Sequence, residues 1–341
     1  MKAIRLVRIG EPLEEHELPI PEPEHGEVLV RIEAAGICHS DVHYRNGSAP
    51  PPSLPITLGH EVAGVVERVG PGVATHAAGD RVCLHYMKSC RSCSYCIAGM
   101  EQFCGEASMV GKFCDGGFAE YIAIPSFNAV QLPENVPLDW AAVMMCSTAT
   151  AYHAIRKARF VPGNDAAVFG VGGLGLSAVQ LLSALGAKTI FAVDIDPERL
   201  ELAERFGATA VRAGDVDPVE TICSQGGVGV AVELLGKRET IEQSLACLAP
   251  GGRAAIAGIT NEPISVDTYH ELVGREAELI GVSDHLRSEL DDLIDLASRG
   301  RLSFGEIITE RIPLDAREID RVLDRLERFG SGVRAVVCAS G

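Results

Sequence analysis

A glycine-rich turn between a short apolar strand and an apolar helix restricts the fold of this chain more than any other feature. Ala166-Ala-Val-Phe-Gly is wholly apolar, Gly170-Val-Gly172-Gly173-Leu-Gly175 follows, and Leu174-Gly-Leu-Ser-Ala-Val-Gln-Leu-Leu-Ser-Ala-Leu-Gly continues with helical spacing. A short strand apolar on both faces belongs inside a covered parallel sheet. Strand Thr189-Ile-Phe-Ala-Val comes next and ends at Asp194, 24 residues after Gly170. Strand, G-x-G-x-x-G turn, helix and a following acidic residue form the dinucleotide fingerprint, in which missing side chains let backbone N–H groups and the helix N-terminus approach a pyrophosphate. Asp194 is placed to accept hydrogen bonds from the ribose hydroxyls and to repel a 2′-phosphate. Ile195 offers no cation, and Arg199 is the only partial compensation nearby, so the cofactor expected is NAD rather than NADP.

The alternation then continues. Pro197-Glu-Arg-Leu-Glu-Leu-Ala-Glu-Arg-Phe and residues 240–248 read as helices, while Val228-Gly-Val-Ala-Val-Glu-Leu-Leu and Arg253-Ala-Ala-Ile-Ala read as strands. Strands alternating with helices predict a doubly wound parallel sheet. The region before residue 150 differs. Glu27-Val-Leu-Val-Arg-Ile-Glu alternates apolar and polar, Glu61-Val-Ala-Gly-Val-Val-Glu-Arg-Val is a second strand candidate, and Gly and Pro punctuate the rest. The tail carries an apolar stripe at Ile319, Val322, Leu323 and Leu326, a helix packing on a core, before strand Val333-Arg-Ala-Val-Val-Cys. A chain of 341 residues allows two domains, and the change of rhythm says which is which.

Composition closes off several classes. A net charge of −17 gives no reason to bind nucleic acid. With 47% apolar residues the chain is not disordered. No apolar run has membrane-spanning length, and Met1-Lys-Ala-Ile-Arg-Leu-Val-Arg lacks a secretory h-region. The expectation is a soluble, cytoplasmic protein with no membrane or nucleic-acid partner.

In a reducing compartment the 11 cysteines are not a disulfide framework, and their spacing carries the information. Cys90, Cys93, Cys96 and Cys104 fall within one short loop, able to wrap a tetrahedral zinc with four thiolates. Such a closed site staples a loop and activates nothing. Free thiols in the same loop would stand open to oxidation. A second constellation is Gly36-Ile-Cys38-His39-Ser40-Asp41-Val-His43 with Gly59-His60-Glu61. A cysteine and a histidine, each beside a carboxylate, point to an open metal site with outer support. Spacing does not choose its third ligand from the remaining cysteines and carboxylates.

These segments, with Asp115-Gly-Gly-Phe-Ala-Glu-Tyr, Met145-Cys-Ser-Thr-Ala-Thr-Ala-Tyr and Val193-Asp-Ile-Asp, resemble the zinc-dependent medium-chain dehydrogenase/reductase family, alcohol dehydrogenase type, over essentially the whole chain. The resemblance implies a GroES-like β-rich catalytic domain (1–150 and 286–341) and a Rossmann NAD-binding domain (151–285). It also implies two zinc ions per chain, the catalytic one on Cys38, His60 and Cys146 and the structural one on Cys90, Cys93, Cys96 and Cys104. Asp41 would orient His60, and Glu61 would sit behind the metal. His39 and Arg287 would meet the cofactor phosphates. Ser40 would pass the alcohol proton through the nicotinamide ribose to His43, an imidazole suited to release near neutrality. The implied reaction is reversible hydride transfer between a primary, secondary or aromatic alcohol and NAD, giving an aldehyde or ketone. A polyol (sorbitol-type) dehydrogenase or a specialised carbonyl reductase is the alternative, although polyol enzymes usually carry Glu where this chain has Cys146. Family habit further implies a homo-oligomer, tetramer or dimer.

Overall fold

The computed structural model describes residues 1–328 and 332–338. The chain forms two compact units: Met1–Cys146 with the described residues of 286–341, and Ser147–His285. The division lies between Cys146 and Ser147.

The first unit is built on a seven-stranded sheet. Its order runs Ala129–Gln131, Arg81–Leu84, Glu61–Val69, Glu27–Ile37, Arg334–Cys338, Ile308–Pro313, and Tyr121–Pro125 pairs with the near half of Glu27–Ile37. The long strand Glu27–Ile37 is central because its apolar residues fill both faces; Val28, Leu29, Val30, Ala35 and Ile37 are all buried. Its far end is antiparallel to two others: Gly36 stands opposite Glu61 on one side and Val336 on the other, and Ile37 opposite Ala335. The C-terminal helix Ala316–Glu327 buries Ile319, Val322 and Leu323 against this core, with Leu326 packed at its border, as the stripe requires.

In the second unit six strands form one parallel sheet. They are β1 (Ala166–Phe169), β2 (Ile190–Asp194), β3 (Thr209–Arg212), β4 (Val228–Glu233), β5 (Leu248–Ile256) and β6 (Glu278–Gly281), in the spatial order β3-β2-β1-β4-β5-β6. This is the doubly wound arrangement, and the direction of winding reverses between β1 and β4. Ala167, Phe169, Phe191, Val193, Val228, Ala231, Leu245 and Leu248 are buried together in its core. Strand β4 stops at Glu233, two residues earlier than its apolar run, because the Glu233 side chain accepts the N–H groups of Leu235 and Gly236 and turns the chain there. Among the described residues no helix is long and apolar enough to cross a membrane.

Candidate metal centre and cofactor face

Cys38 follows the last residue of Glu27–Ile37 and is the N-cap of helix His39–Asn46. Its backbone N–H donates to Asp41 Oδ2 at 2.9 Å, while Asp41 Oδ1 accepts from Gly59 N–H at 3.2 Å and stands 3.5 Å from His60 Nδ1. One fully buried carboxylate therefore fixes the Cys38 turn and sets its charge against the His60 ring. Cys146 arrives on a single π-helical turn, Met144–Thr148, a departure from helix geometry that recurs at functional sites. Its sulfur lies 3.9 Å from that of Cys38. Cys38, His60, Glu61 and Cys146 are all buried, each offering a donor atom within 4.8 Å of the others.

Glu61 enters this cluster because Gly36 opposite it has no side chain; a Cβ there would lie 2.0 Å from the Glu61 carboxylate oxygen. The same oxygen is paired with the buried guanidinium of Arg334. Arg334 went unread in the sequence. Its only signal is a cation opening an otherwise apolar final strand, and only the pairing of that strand with Glu27–Ile37 shows what the cation is for.

Electrostatics mark the cluster as short of positive charge. The hydrogen bond shared with Cys146 holds the Cys38 thiol well below its ordinary value and pushes Cys146 well above it, one proton serving two sulfurs. Burial opposes a charge on His60, but Asp41 and the Cys38 sulfur outweigh it and raise the imidazole well above its ordinary value. Burial also raises Glu61 to about 7, against the pull of Arg334. Neither His60 ring nitrogen has a hydrogen-bond partner among the described residues. Two sulfurs, an imidazole nitrogen facing away from its supporting carboxylate and a nearby carboxylate suit a divalent cation. Zinc ligated tetrahedrally at about 2.3 Å places its sulfurs about 3.8 Å apart, matching Cys38 and Cys146.

The loop cysteines fit a closed site by the same test. Cys90 and Cys96 sulfurs are 3.9 Å apart, Cys93 and Cys96 3.5 Å, and Cys90 and Cys104 3.5 Å. Backbone and hydroxyl bonds from Ser92, with the Cys93 N–H, pull Cys90 down to about 6, whereas burial and Cys93 hold Cys96 up at about 11. All four sulfurs fall within 4.8 Å of one another.

Beside the first cluster, Ser40 Oγ is 3.8 Å from Cys38 Sγ. One helical turn on, His43 lies edge-to-face with His39 at 5.0 Å between ring centroids, and its Nδ1 is buried without a partner among the described residues. Burial, then His43, depresses His39.

In the second unit Gly172 is the N-cap of helix Gly173–Ala184. A Cβ on Gly175 would lie 1.9 Å from the Gly170 carbonyl oxygen, so helix and turn need glycine there. Asp194 is 6% exposed, and its carboxylate accepts from Val171 N–H at 2.8 Å, Ile195 N–H at 2.8 Å and Asp196 N–H at 3.0 Å. Arg199 Nε faces Asp196 Oδ2 at 3.3 Å. Arg287 belongs to the first unit, where its side chain bonds the Phe127 carbonyl at 3.3 Å and Asp291 at 3.1 Å.

Comparison with known proteins agrees with this geometry. Residues 24–134 match the alcohol dehydrogenase GroES-like domain, and residues 173–299 the zinc-binding dehydrogenase domain. An alcohol dehydrogenase of Geobacillus stearothermophilus is 35% identical over 96% of this chain and 96% of its own length. The chain belongs to the zinc-binding alcohol dehydrogenase family. An NAD-dependent alcohol dehydrogenase of Sulfurisphaera tokodaii is 34% identical over 99% of both chains. Among solved structures, a zinc-binding dehydrogenase of Sinorhizobium meliloti bound to NADP superposes with a TM-score of 0.91 at 31% identity, covering 99% of this chain and 98% of that one. The GroES-like and Rossmann architecture is that of this family.

Proposed function

We propose that the protein is a zinc-dependent dehydrogenase that interconverts a primary, secondary or aromatic alcohol with its aldehyde or ketone, using NAD. The observation that carries this reading is the buried meeting of Cys38, His60 and Cys146 with sulfurs spaced for zinc. Zinc held there would act as a Lewis acid on the alcohol oxygen, lowering its pKa toward neutrality. The chain's own residues supply the rest. Asp41 keeps the His60 ring in place from behind. Glu61, neutralised by Arg334, stands close enough to shield or exchange with a ligand. Ser40, beside the Cys38 sulfur, would accept the alcohol proton while passing its own through the nicotinamide ribose to His43, which would release a proton to solvent.

Asp194 and Asp196 support NAD over NADP. A 2′-phosphate approaching the end of β2 would meet both carboxylates, and Arg199 is already turned to one of them. Cys146 rather than a glutamate favours simple alcohols over polyols. We further propose a structural zinc on Cys90, Cys93, Cys96 and Cys104, cofactor phosphate contacts from His39 and Arg287, and a homo-oligomeric state measurable by light scattering. The test is NADH or NADPH formation by zinc-replete protein across primary, secondary, benzylic and polyol substrates. Turnover of simple or benzylic alcohols with NAD is expected; turnover of polyols alone, or with NADP alone, contradicts the assignment.

A further inference from the structure

Glu233 is fully buried at the end of β4 and takes no part in the chemistry above. One carboxylate oxygen accepts three donors: Leu235 N–H at 3.0 Å, Gly236 N–H at 2.9 Å and the Thr240 hydroxyl at 2.7 Å. The Glu233 backbone carbonyl accepts two more, from Ala257 N–H at 2.9 Å and Gly258 N–H at 3.2 Å, which begin the turn after β5. One residue thus ties together the turns that leave two neighbouring strands.

Those turns lie at the glycine turn. Leu234 N–H bonds the Phe169 carbonyl at the end of β1 at 3.0 Å. Leu235 packs so closely on Gly170 that a Cβ there would stand 2.5 Å from its Cγ. On the other side Gly258 abuts Gly236, where a Cβ would stand 2.0 Å from the Gly236 nitrogen. The junction spans the gap between β1 and β4, where the winding reverses and a dinucleotide binds in sheets of this kind. Its rim is apolar and open: Leu235 is 38% exposed and Ile259 88%. Leu235 and Ile259 thus sit at the carboxyl end of the parallel sheet, the end at which ligands bind in open sheets of this kind.

We propose that Glu233 is a positioning residue for the cofactor, fixing the turns after β4 and β5 against the glycine turn so that the dinucleotide meets a surface already formed. This rests on the reading that NAD binds at the glycine turn. Its consequence is that weakening Glu233 costs cofactor affinity and leaves the metal centre alone, because flexible turns must be ordered by the ligand that binds them. Glu233→Gln keeps the side chain's size but exchanges charge-assisted bonds for neutral ones about half as strong. Thr240→Val removes one donor to the same oxygen without changing its shape.

The experiment is NADH titration by fluorescence on the purified full chain and both variants, with kcat, KM for NAD, zinc content and thermal midpoint measured on the same samples. In both variants the Kd for NADH and the KM for NAD are expected to rise about three- to tenfold, with kcat unchanged or raised and zinc per chain unchanged. Variants that lose thermal stability but bind NADH as the unsubstituted protein does would overturn the proposal, as would a fall in kcat at unchanged KM. If the unsubstituted protein binds NADPH but not NADH, or neither, the reading of the glycine turn falls first.

Discussion

Cys38, His60 and Cys146 come from a strand end, a loop and a π-helical turn, and burial with charged neighbours surrounds them all. Cys90, Cys93, Cys96 and Cys104 come from one short loop, and three of the four are partly exposed. The sulfur spacings are nearly the same, 3.9 Å in the first and 3.5–3.9 Å in the second. The surroundings differ. The loop offers four sulfurs and so fills a tetrahedron. The buried cluster offers two sulfurs and one nitrogen, adds a carboxylate engaged by Arg334, and has a hydroxyl and an imidazole alongside. A full ligand set can only hold structure together; an incomplete one, in a dry site with a route for protons, can do chemistry.

Breaking the buried set should have the largest effect on turnover. Cys38→Ala is expected to lower kcat/KM for alcohol oxidation by about a thousandfold or more, with an unchanged circular dichroism spectrum. A variant within tenfold of the parent would place the chemistry elsewhere. Replacing His43 by Gln should lower kcat for alcohol oxidation by about a hundredfold. Turnover within about threefold of the parent would show that the proton leaves by another path. Asp41→Asn removes the charge that supports His60 and should weaken zinc binding at the buried site about ten- to a hundredfold, read by competition with a chelator, while the loop zinc stays bound. Cys104→Ala should move turnover least: activity per folded molecule at 20 °C within about twofold, but a stability loss of about 3 kcal/mol or more by denaturant titration. Equal loss of turnover from Cys104→Ala and Cys38→Ala would erase the distinction between the two sites.

The sequence shows the two sites unequally. All four cysteines of the loop fall between residues 90 and 104, so their spacing alone makes the loop readable. The glycine turn is local in the same way, because strand, turn and helix are consecutive. The buried cluster is assembled across the chain. Cys38 and His60 were visible as candidates, but nothing in their spacing pointed to Cys146, which entered through the family resemblance. Arg334 was invisible because its meaning depends on the final strand pairing with Glu27–Ile37, a register set by Ile37 opposite Ala335. Glu233 was hidden for a related reason. It lies inside an otherwise apolar run, and only the turns after β4 and β5 show that it ends that strand and holds both turns.

The zinc that turns over alcohol is expected in the buried cluster and not in the loop. Zinc per chain measured by elemental analysis on Cys38→Ala protein, alongside NAD-linked alcohol oxidation by the same sample, decides between the two sites. Zinc is expected to fall from two per chain to one, with oxidation lost. Two zinc ions per chain with oxidation intact would contradict this placement.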